Sequence, residues 1–145
     1  MLTGIYQHSI DVKGRVFVPS ALRQELGKSF QVTVGFPNQD FKMNCIAVYP
    51  DKSWSKVEDR YDAMSRKDKS KMRPIFAHAR KLEVDDQGRI LLPQNVREWA
   101  QLKKNVAIVG VGDSVEIWDA EVWEKIDALE TSQENIASIY DENDF

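Results

Sequence analysis

The apolar positions along the chain recur at two spacings, which predict short strands and short helices. Compact runs rich in Val, Ile and Leu, bounded by Gly, Pro or Asp, are typical of strands. Such runs lie at 16–18, 31–36, 44–49, 90–92, 105–111 and 115–118. Apolar residues three or four positions apart, as at Trp54, Val57 and Tyr61, predict amphipathic helices instead. The pattern therefore indicates an α+β protein that is mostly β.

Proline and aspartate residues indicate where the helices begin. A Pro ends a strand run at 19 and again at 93, and the helical sequences SALRQEL (20–26) and QNVREWAQL (94–102) follow. Asp51 and Asp119 precede two further helices, and each side chain is expected to act as an N-cap. Pro74 predicts a helix start or a kink in the segment between. The tail, TSQENIASIYDENDF, is expected to be a helical extension that frays into a disordered acidic end.

One nine-residue stretch occurs twice. Residues 11–19 read DVKGRVFVP, and 74 positions later residues 85–93 read DDQGRILLP. Asp, Gly, Arg and Pro coincide, and a second Arg follows each Pro by four residues, at Arg23 and Arg97. The match continues through VTVG and AIVG into two predicted hairpins, 31–36 with 44–49 and 105–111 with 115–118, and the first copy has five extra residues. An ordered series of matches at a nearly constant offset indicates a tandem duplication.

The duplication predicts the domain plan. A repeat of this size has unpaired strand edges and one apolar face, so we expect two copies to interlock around a shared core. The plan is a single domain over 1–145, with repeat 1 at 5–52, a helical connector at 53–80, repeat 2 at 81–124, and a C-terminal helix with an acidic tail at 125–145.

Charge is divided unevenly between the halves. Residues 1–81 hold 15 Lys and Arg against 8 Asp and Glu, whereas residues 82–145 hold 5 against 15. The division suggests one face for a polyanion, although a drift of surface charge would give the same counts. The chain has one cysteine, no visible signal peptide and no apolar run of membrane-spanning length. We therefore expect a cytoplasmic protein without a membrane partner.

Catalysis finds little support in the residues. Two histidines, His8 and His78, form no metal-ligand pattern with Cys45, which is expected to be a buried thiol in a strand. The sequence contains neither a glycine-rich phosphate loop nor a nucleophile elbow. We expect no enzymatic activity, no metal or other cofactor, and no small-molecule substrate.

The basic turn of repeat 1 is the stronger candidate site. Lys13 and Arg15 flank Gly14 in a predicted exposed turn, and Arg23 lies on the following helix. Arg and Lys can bind phosphates, and Arg can bind a guanine edge with two hydrogen bonds. Asp11 would orient the turn. The alternative is that Asp11 and Arg15 form only a turn-stabilising ion pair, which contributes about 0–1 kcal/mol when exposed.

The corresponding turn of repeat 2 differs in charge. Asp85 and Arg89 are retained, but Asp86 and Gln87 replace Val12 and Lys13. A phosphate approaching this turn would meet two carboxylates. We therefore expect repeat 1 to dominate DNA binding and repeat 2 to serve scaffold, assembly or a weaker contact.

The D-x-x-G-R-x-x-x-P arrangement resembles the AbrB-like, swapped-hairpin family of bacterial DNA-binding proteins. Two copies, the M-x-x-G start, FAHARKLEVD before the second motif and VEIWD at 115–119 together resemble the MraZ family of transcriptional regulators. The resemblance implies tandem AbrB-like units that form an interlocked double-psi-like barrel with peripheral helices. It carries over Asp11, Lys13 and Arg15 in the first motif, and Asp85 and Arg89 in the second.

The resemblance also implies a function. Members of that family form closed homo-oligomeric rings and bind G-rich direct repeats in double-stranded DNA upstream of their own division and cell-wall gene cluster, usually as repressors. A protein of this kind would be associated with the nucleoid. Two alternatives stay open: an oligomeric protein-interaction module with only non-specific polyanion binding, and an RNA-binding regulator.

Overall fold

The computed structural model describes residues 1–144 and shows a mixed α+β fold. The strands are β1 (Leu2–Ser9), β2 (Arg15–Phe17), β3 (Ser29–Val34), β4 (Ile46–Pro50), β5 (Arg80–Glu83), β6 (Arg89–Leu91), β7 (Asn105–Gly112) and β8 (Val115–Asp119). The helices are α1 (Ser20–Leu26), α2 (Asp51–Asp62), α3 (Arg66–Lys71), α4 (Arg73–Ala77), α5 (Gln94–Trp99), α6 (Ala120–Glu130) and α7 (Gln133–Asn143). Across residues 1–144 no helix combines the length and apolar character needed to cross a membrane.

The strands form two antiparallel sheets. The larger sheet has the order β1-β7-β8-β4-β3-β5, and the smaller pairs β2 with β6. The predicted hairpins are present, because β3 pairs with β4 and β7 pairs with β8. The predicted α+β class is therefore confirmed, although helical residues outnumber strand residues among residues 1–144. The predicted double-psi-like barrel is wrong, because the larger sheet is open, with β1 and β5 at its edges, and residues 1–144 form no closed barrel.

The two repeats exchange strands. β1 of repeat 1 pairs with β7 of repeat 2 from Leu2↔Gly112 to Ser9↔Asn105. In the reverse sense, β5 of repeat 2 pairs with β3 of repeat 1. The equivalent strands β2 and β6 pair with each other, with Val16 opposite Ile90. Each repeat therefore has a strand whose backbone hydrogen bonds are made to a strand of the other.

The main core lies between the two sheets and draws equally on both repeats. Equivalent residues are buried in pairs, as Val16 is with Ile90 and Leu22 with Val96. Phe30 on β3 is the largest of the fully buried side chains. Burial of a side chain of this kind contributes about 1.5–3 kcal/mol, so the shared core binds the repeats together.

The helices of the connector pack together through aromatic residues, and one hydrogen bond joins the connector to β3. The Phe76 ring packs edge-on to Trp54 and Tyr61, with centroid distances of 5.5 and 4.8 Å. The Thr33 hydroxyl donates to the Ile75 carbonyl at 2.7 Å. The break expected near Pro74 is confirmed, because α3 ends at Lys71 and α4 begins at Arg73.

The predicted Asp caps are wrong. Pro50 occupies the N-cap position of α2, and Asp51 is already the first helical residue. Pro50 itself fixes the approach to this helix, with φ at −60° and an extended ψ. Asp119 does stand at the N-cap of α6, but its buried carboxylate accepts a hydrogen bond from the Lys103 main-chain N–H at 3.2 Å instead of capping.

The C-terminal segment is helical, as expected, through Asn143 in α7. Its acidic residues 141 and 142 lie within that helix, so the expected fraying does not begin there. The prediction of a disordered end also covered Phe145, which lies outside the described residues.

Candidate nucleic-acid interface

The Asp11 carboxylate holds the first turn, residues 11–15, in one conformation. One oxygen accepts from the main-chain N–H groups of Lys13 and Arg15, at 3.0 and 2.9 Å. The other accepts from Arg15 Nε at 2.6 Å. Gly14 has a φ of +93°, which only glycine adopts without strain, and its N–H closes the turn on the Asp11 carbonyl. The Asp thus fixes the backbone from which Lys13 and Arg15 project.

These hydrogen bonds favour the ionised carboxylate. The main-chain N–H of Arg15 is the largest cause, and the pKa of Asp11 is lowered to about 2. The pKa of Asp85 is lowered for the same reason, with the Arg89 main-chain N–H as the largest cause. Both turns therefore keep their internal anion at neutral pH.

The second turn, residues 85–89, repeats this geometry. Asp85 accepts from the main-chain N–H groups of Gln87 and Arg89, both at 2.9 Å, and from Arg89 Nε at 3.1 Å. The two turns therefore share one backbone design. They differ in the side chains at their tips, where Asp86 and Gln87 replace a valine and a lysine.

The paired strands β2 and β6, which we call the ribbon, bring the two turns onto one surface. Val16 and Ile90 point into the core, so the alternate residues of each strand lie on the outer face. There Arg15 stands opposite Leu91 and Phe17 opposite Arg89. Phe17 is 45% exposed and Leu91 55%, so the ribbon displays two apolar side chains among its arginines.

Phe17 and Leu91 were not predicted to be surface residues, because the apolar runs around Val16 and Ile90 indicate strands without showing which residues face outward. A strict period-two reading of each three-residue strand would have placed the first and third residues outside.

Arg23 and Arg97 brace the turns across the repeat boundary. Arg23 Nε donates to the Val18 carbonyl at 2.9 Å, and its guanidinium lies against Gly88 of the second turn. Symmetrically, Arg97 Nε donates to the Leu92 carbonyl at 3.0 Å and lies against Gly14. Arg23 is thus close to the second turn, and its expected contact with DNA stays a prediction.

The other reactive side chains are dispersed. Among residues 1–144 no group of three or more His, Cys, Asp or Glu residues is placed to hold a metal ion. Cys45 is fully buried, its Sγ lies 3.4 Å from the Phe36 carbonyl, and burial raises the pKa of its thiol. A protonated, inaccessible thiol is a poor nucleophile.

The fold and the turns define a class: a duplicated α+β protein that presents two matched, arginine-bearing turns on one strand ribbon. The family model described as "MraZ protein, putative antitoxin-like" matches residues 1–73 and again residues 75–144. The chain belongs to the MraZ family, as the resemblance of its motifs predicted.

Known relatives agree over most of the chain. "Transcriptional regulator MraZ" of Carboxydothermus hydrogenoformans is 44% identical over 126 residues, covering 85% of this chain and 84% of that protein. The protein of the same name from Acetivibrio thermocellus is 44% identical over 141 residues, 94% of each chain. That of a Thermoanaerobacter species is 40% identical over 146 residues, 98% of each. Transcriptional regulators are not a class of enzymes.

Proposed function

We propose that this chain is a transcriptional regulator that binds double-stranded DNA through its first turn. The observation that carries the proposal is the fixed geometry of Arg15. Its Nε donates to Asp11, and neither terminal guanidinium nitrogen has a hydrogen bond within the described residues, so both can donate to a bound partner. A guanine edge, with two acceptors in the major groove, suits such a donor pair, and Lys13 beside it suits a phosphate.

We further propose that the bound DNA consists of G-rich direct repeats upstream of the protein's own division and cell-wall gene cluster, and that binding represses this cluster. The motif resemblance supports the operator and the gene cluster, and the name of the relatives supports a role in transcription. The site of action would be the nucleoid, within the cytoplasm.

A single turn offers few contacts, so affinity would come from assembly. We propose a homo-oligomeric ring in which several first turns engage successive repeats. Linking weak sites in this way raises the effective concentration of each, and avidity can exceed the single-site affinity by about 10²–10⁴.

The cross-repeat pairing supports a finer description of the fold. We read the exchange of β1 and β5 as two AbrB-like swapped hairpins in tandem, interlocked about the ribbon. The proposed domain plan keeps repeat 1 at 5–52, the connector at 53–80, repeat 2 at 81–124 and the C-terminal segment at 125–145.

Fluorescence anisotropy with the upstream DNA and a scrambled duplex tests the function. Arg15→Ala should weaken specific binding by about 1–3 kcal/mol per engaged turn, and it should reduce the difference in affinity between the upstream and the scrambled duplex. Lys13→Ala should lower the affinity for the two duplexes about equally. Lys56→Ala, an exposed lysine on α2, is the charge-matched control. Light scattering establishes that each variant keeps the wild-type oligomer. Wild-type affinity in both turn variants would contradict the first-turn mechanism.

A second candidate is an oligomeric protein-interaction module that binds polyanions without sequence preference. The exposed Phe17 and Leu91 on the ribbon favour it, because apolar side chains at a surface often contact protein. Equal wild-type affinity for the upstream and scrambled duplexes would select this candidate.

A further inference from the structure

A groove of about 460 Å³ lies beside the first turn and is strongly cationic. Its lining includes Lys13 from the turn, Arg80 and Lys81 from β5, and Arg97 from α5. Glu83 is the one acidic residue among those lining it. A concave surface in which positive charges outnumber negative ones concentrates the potential that attracts an anion.

Arg80 and Lys81 are placed for an external partner. They lie on β5, an edge strand of the larger sheet, and both are exposed. Their backbones pair with Val32 and Gln31 of β3 on one side only. Within the described part of the chain neither side chain has a salt-bridge partner, in contrast to Arg15 and Arg89. Two uncompensated cations on an edge strand leave their charge available to a ligand.

The equivalent place in the other repeat lacks this charge. Residues 74 positions before Arg80 and Lys81 are Tyr6 and Gln7, on β1 at the opposite edge of the sheet. Gln87 stands where the groove has Lys13. The duplicated fold therefore provides two matching edges, of which one is cationic and the other neutral. Structural needs common to both repeats do not account for the difference.

We infer that the groove binds the phosphate backbone of the DNA whose bases the first turn contacts, with Arg80 and Lys81 as the phosphate-binding residues. The inference rests on the proposed function and adds a second set of contacts to it. Phosphate contacts set the position and register of a protein on a duplex, whereas base-edge contacts give specificity. The groove and the turn divide these two tasks.

The test is a salt titration of DNA affinity for Arg80→Gln/Lys81→Gln, which removes two charges and keeps long polar side chains. Each neutralised phosphate contributes about −0.9 to the slope of log K against log salt. The double variant should lower the magnitude of this slope by about 1.8 per engaged subunit. The ratio of wild-type to variant affinity should therefore fall about tenfold per engaged subunit as the salt concentration rises from about 50 to about 200 mM. The loss should be equal on upstream and scrambled duplexes.

Two further variants make the test specific. Lys52→Gln/Lys56→Gln removes two exposed lysines of α2 outside the groove and should leave the slope unchanged. Gln7→Lys/Gln87→Lys, which gives the neutral edge the missing charge, should steepen the slope. Circular dichroism and light scattering establish that all variants keep the fold and the oligomer.

The outcomes separate the two proposals. If the wild type binds DNA and the Arg80/Lys81 variant keeps both affinity and slope, the groove assignment is overturned and the first-turn function stands. If the α2 control loses as much slope as the groove variant, the effect is one of net charge and the groove assignment is again overturned. If the wild type binds neither duplex, both the proposed function and the groove assignment are wrong.

Discussion

Substitution of Gly88, which contacts Arg23, is the most direct test of how the two repeats are held together. A Cβ built on Gly88 would lie 2.6 Å from Arg23 Cζ, and the residue has a φ of +80°. Gly88→Ala therefore does two things. It places an L residue in the left-handed region, and it displaces a guanidinium that donates to the Val18 carbonyl.

The two effects have separable magnitudes. The left-handed backbone costs about 1–2 kcal/mol, of which about 0.4–1 is offset because alanine has less conformational freedom than glycine in the unfolded chain. Loss of the Arg23 hydrogen bond adds about 0.5–1.5 kcal/mol. We expect Gly88→Ala to lower the free energy of unfolding by about 2 kcal/mol in the wild type, but by about 1 kcal/mol in an Arg23→Ala background, where no guanidinium is displaced.

Urea denaturation of the four proteins of this cycle, at one fixed protomer concentration, measures the coupling. Gly27→Ala is a control without a clash, because Gly27 also has a positive φ, +79° with an extended ψ, but a Cβ at this position would meet nothing closer than the Ser29 carbonyl at 3.8 Å. Gly27→Ala should lower the free energy of unfolding through backbone strain alone, by the same amount in the wild-type and Arg23→Ala proteins. If the Gly88→Ala cost is likewise the same in both, within about 0.3–0.5 kcal/mol, Arg23 does not brace the second turn.

Two other predictions concern single titratable groups. The folded-state pKa of Asp11 is about 2, below its ordinary 3.8, so its stabilisation of the first turn is complete above pH 3.8 and is lost as pH falls through about 2. An NMR titration of the Asp11 carboxyl carbon should show a midpoint near 2, and a midpoint at 3.8 or above would contradict the hydrogen-bonded turn. Because burial raises the pKa of Cys45, the native protein should react with a disulfide reagent at pH 8 far more slowly than the urea-unfolded protein; equal rates would show that the thiol is accessible.

Local features of the fold were predictable from the sequence, and long-range ones were not. The β7–β8 hairpin followed from the closely spaced apolar runs at 105–111 and 115–118, and the α1 helix from Pro19, because both depend on neighbouring residues. The pairing of β1 with β7 joins residues about a hundred positions apart, as in Leu2↔Gly112. Strand propensity does not specify which distant strand becomes the partner.

The candidate site divides in the same way. The internal hydrogen bonds of the first turn follow from the spacing of Asp11, Gly14 and Arg15. The placement of Arg23 against Gly88 does not, because it depends on how the second repeat meets the first. Nothing in the sequence distinguishes Arg80 from the other basic residues; the sheet order places it on an edge strand, and the groove brings it near Lys13.

The exchange of strands between repeats has a consequence for how a DNA site would be laid out. Two separate identical chains that exchanged strands in this way would form a symmetric dimer, and any change in one turn would appear in the other. Covalent linkage removes that constraint, and here one turn has Lys13 while its partner has Gln87. A two-fold symmetric binder matches a palindrome, whereas a subunit with unequal turns gives its site a direction. Successive subunits around a ring would then face the same way along the duplex, which suits half-sites repeated head to tail rather than inverted.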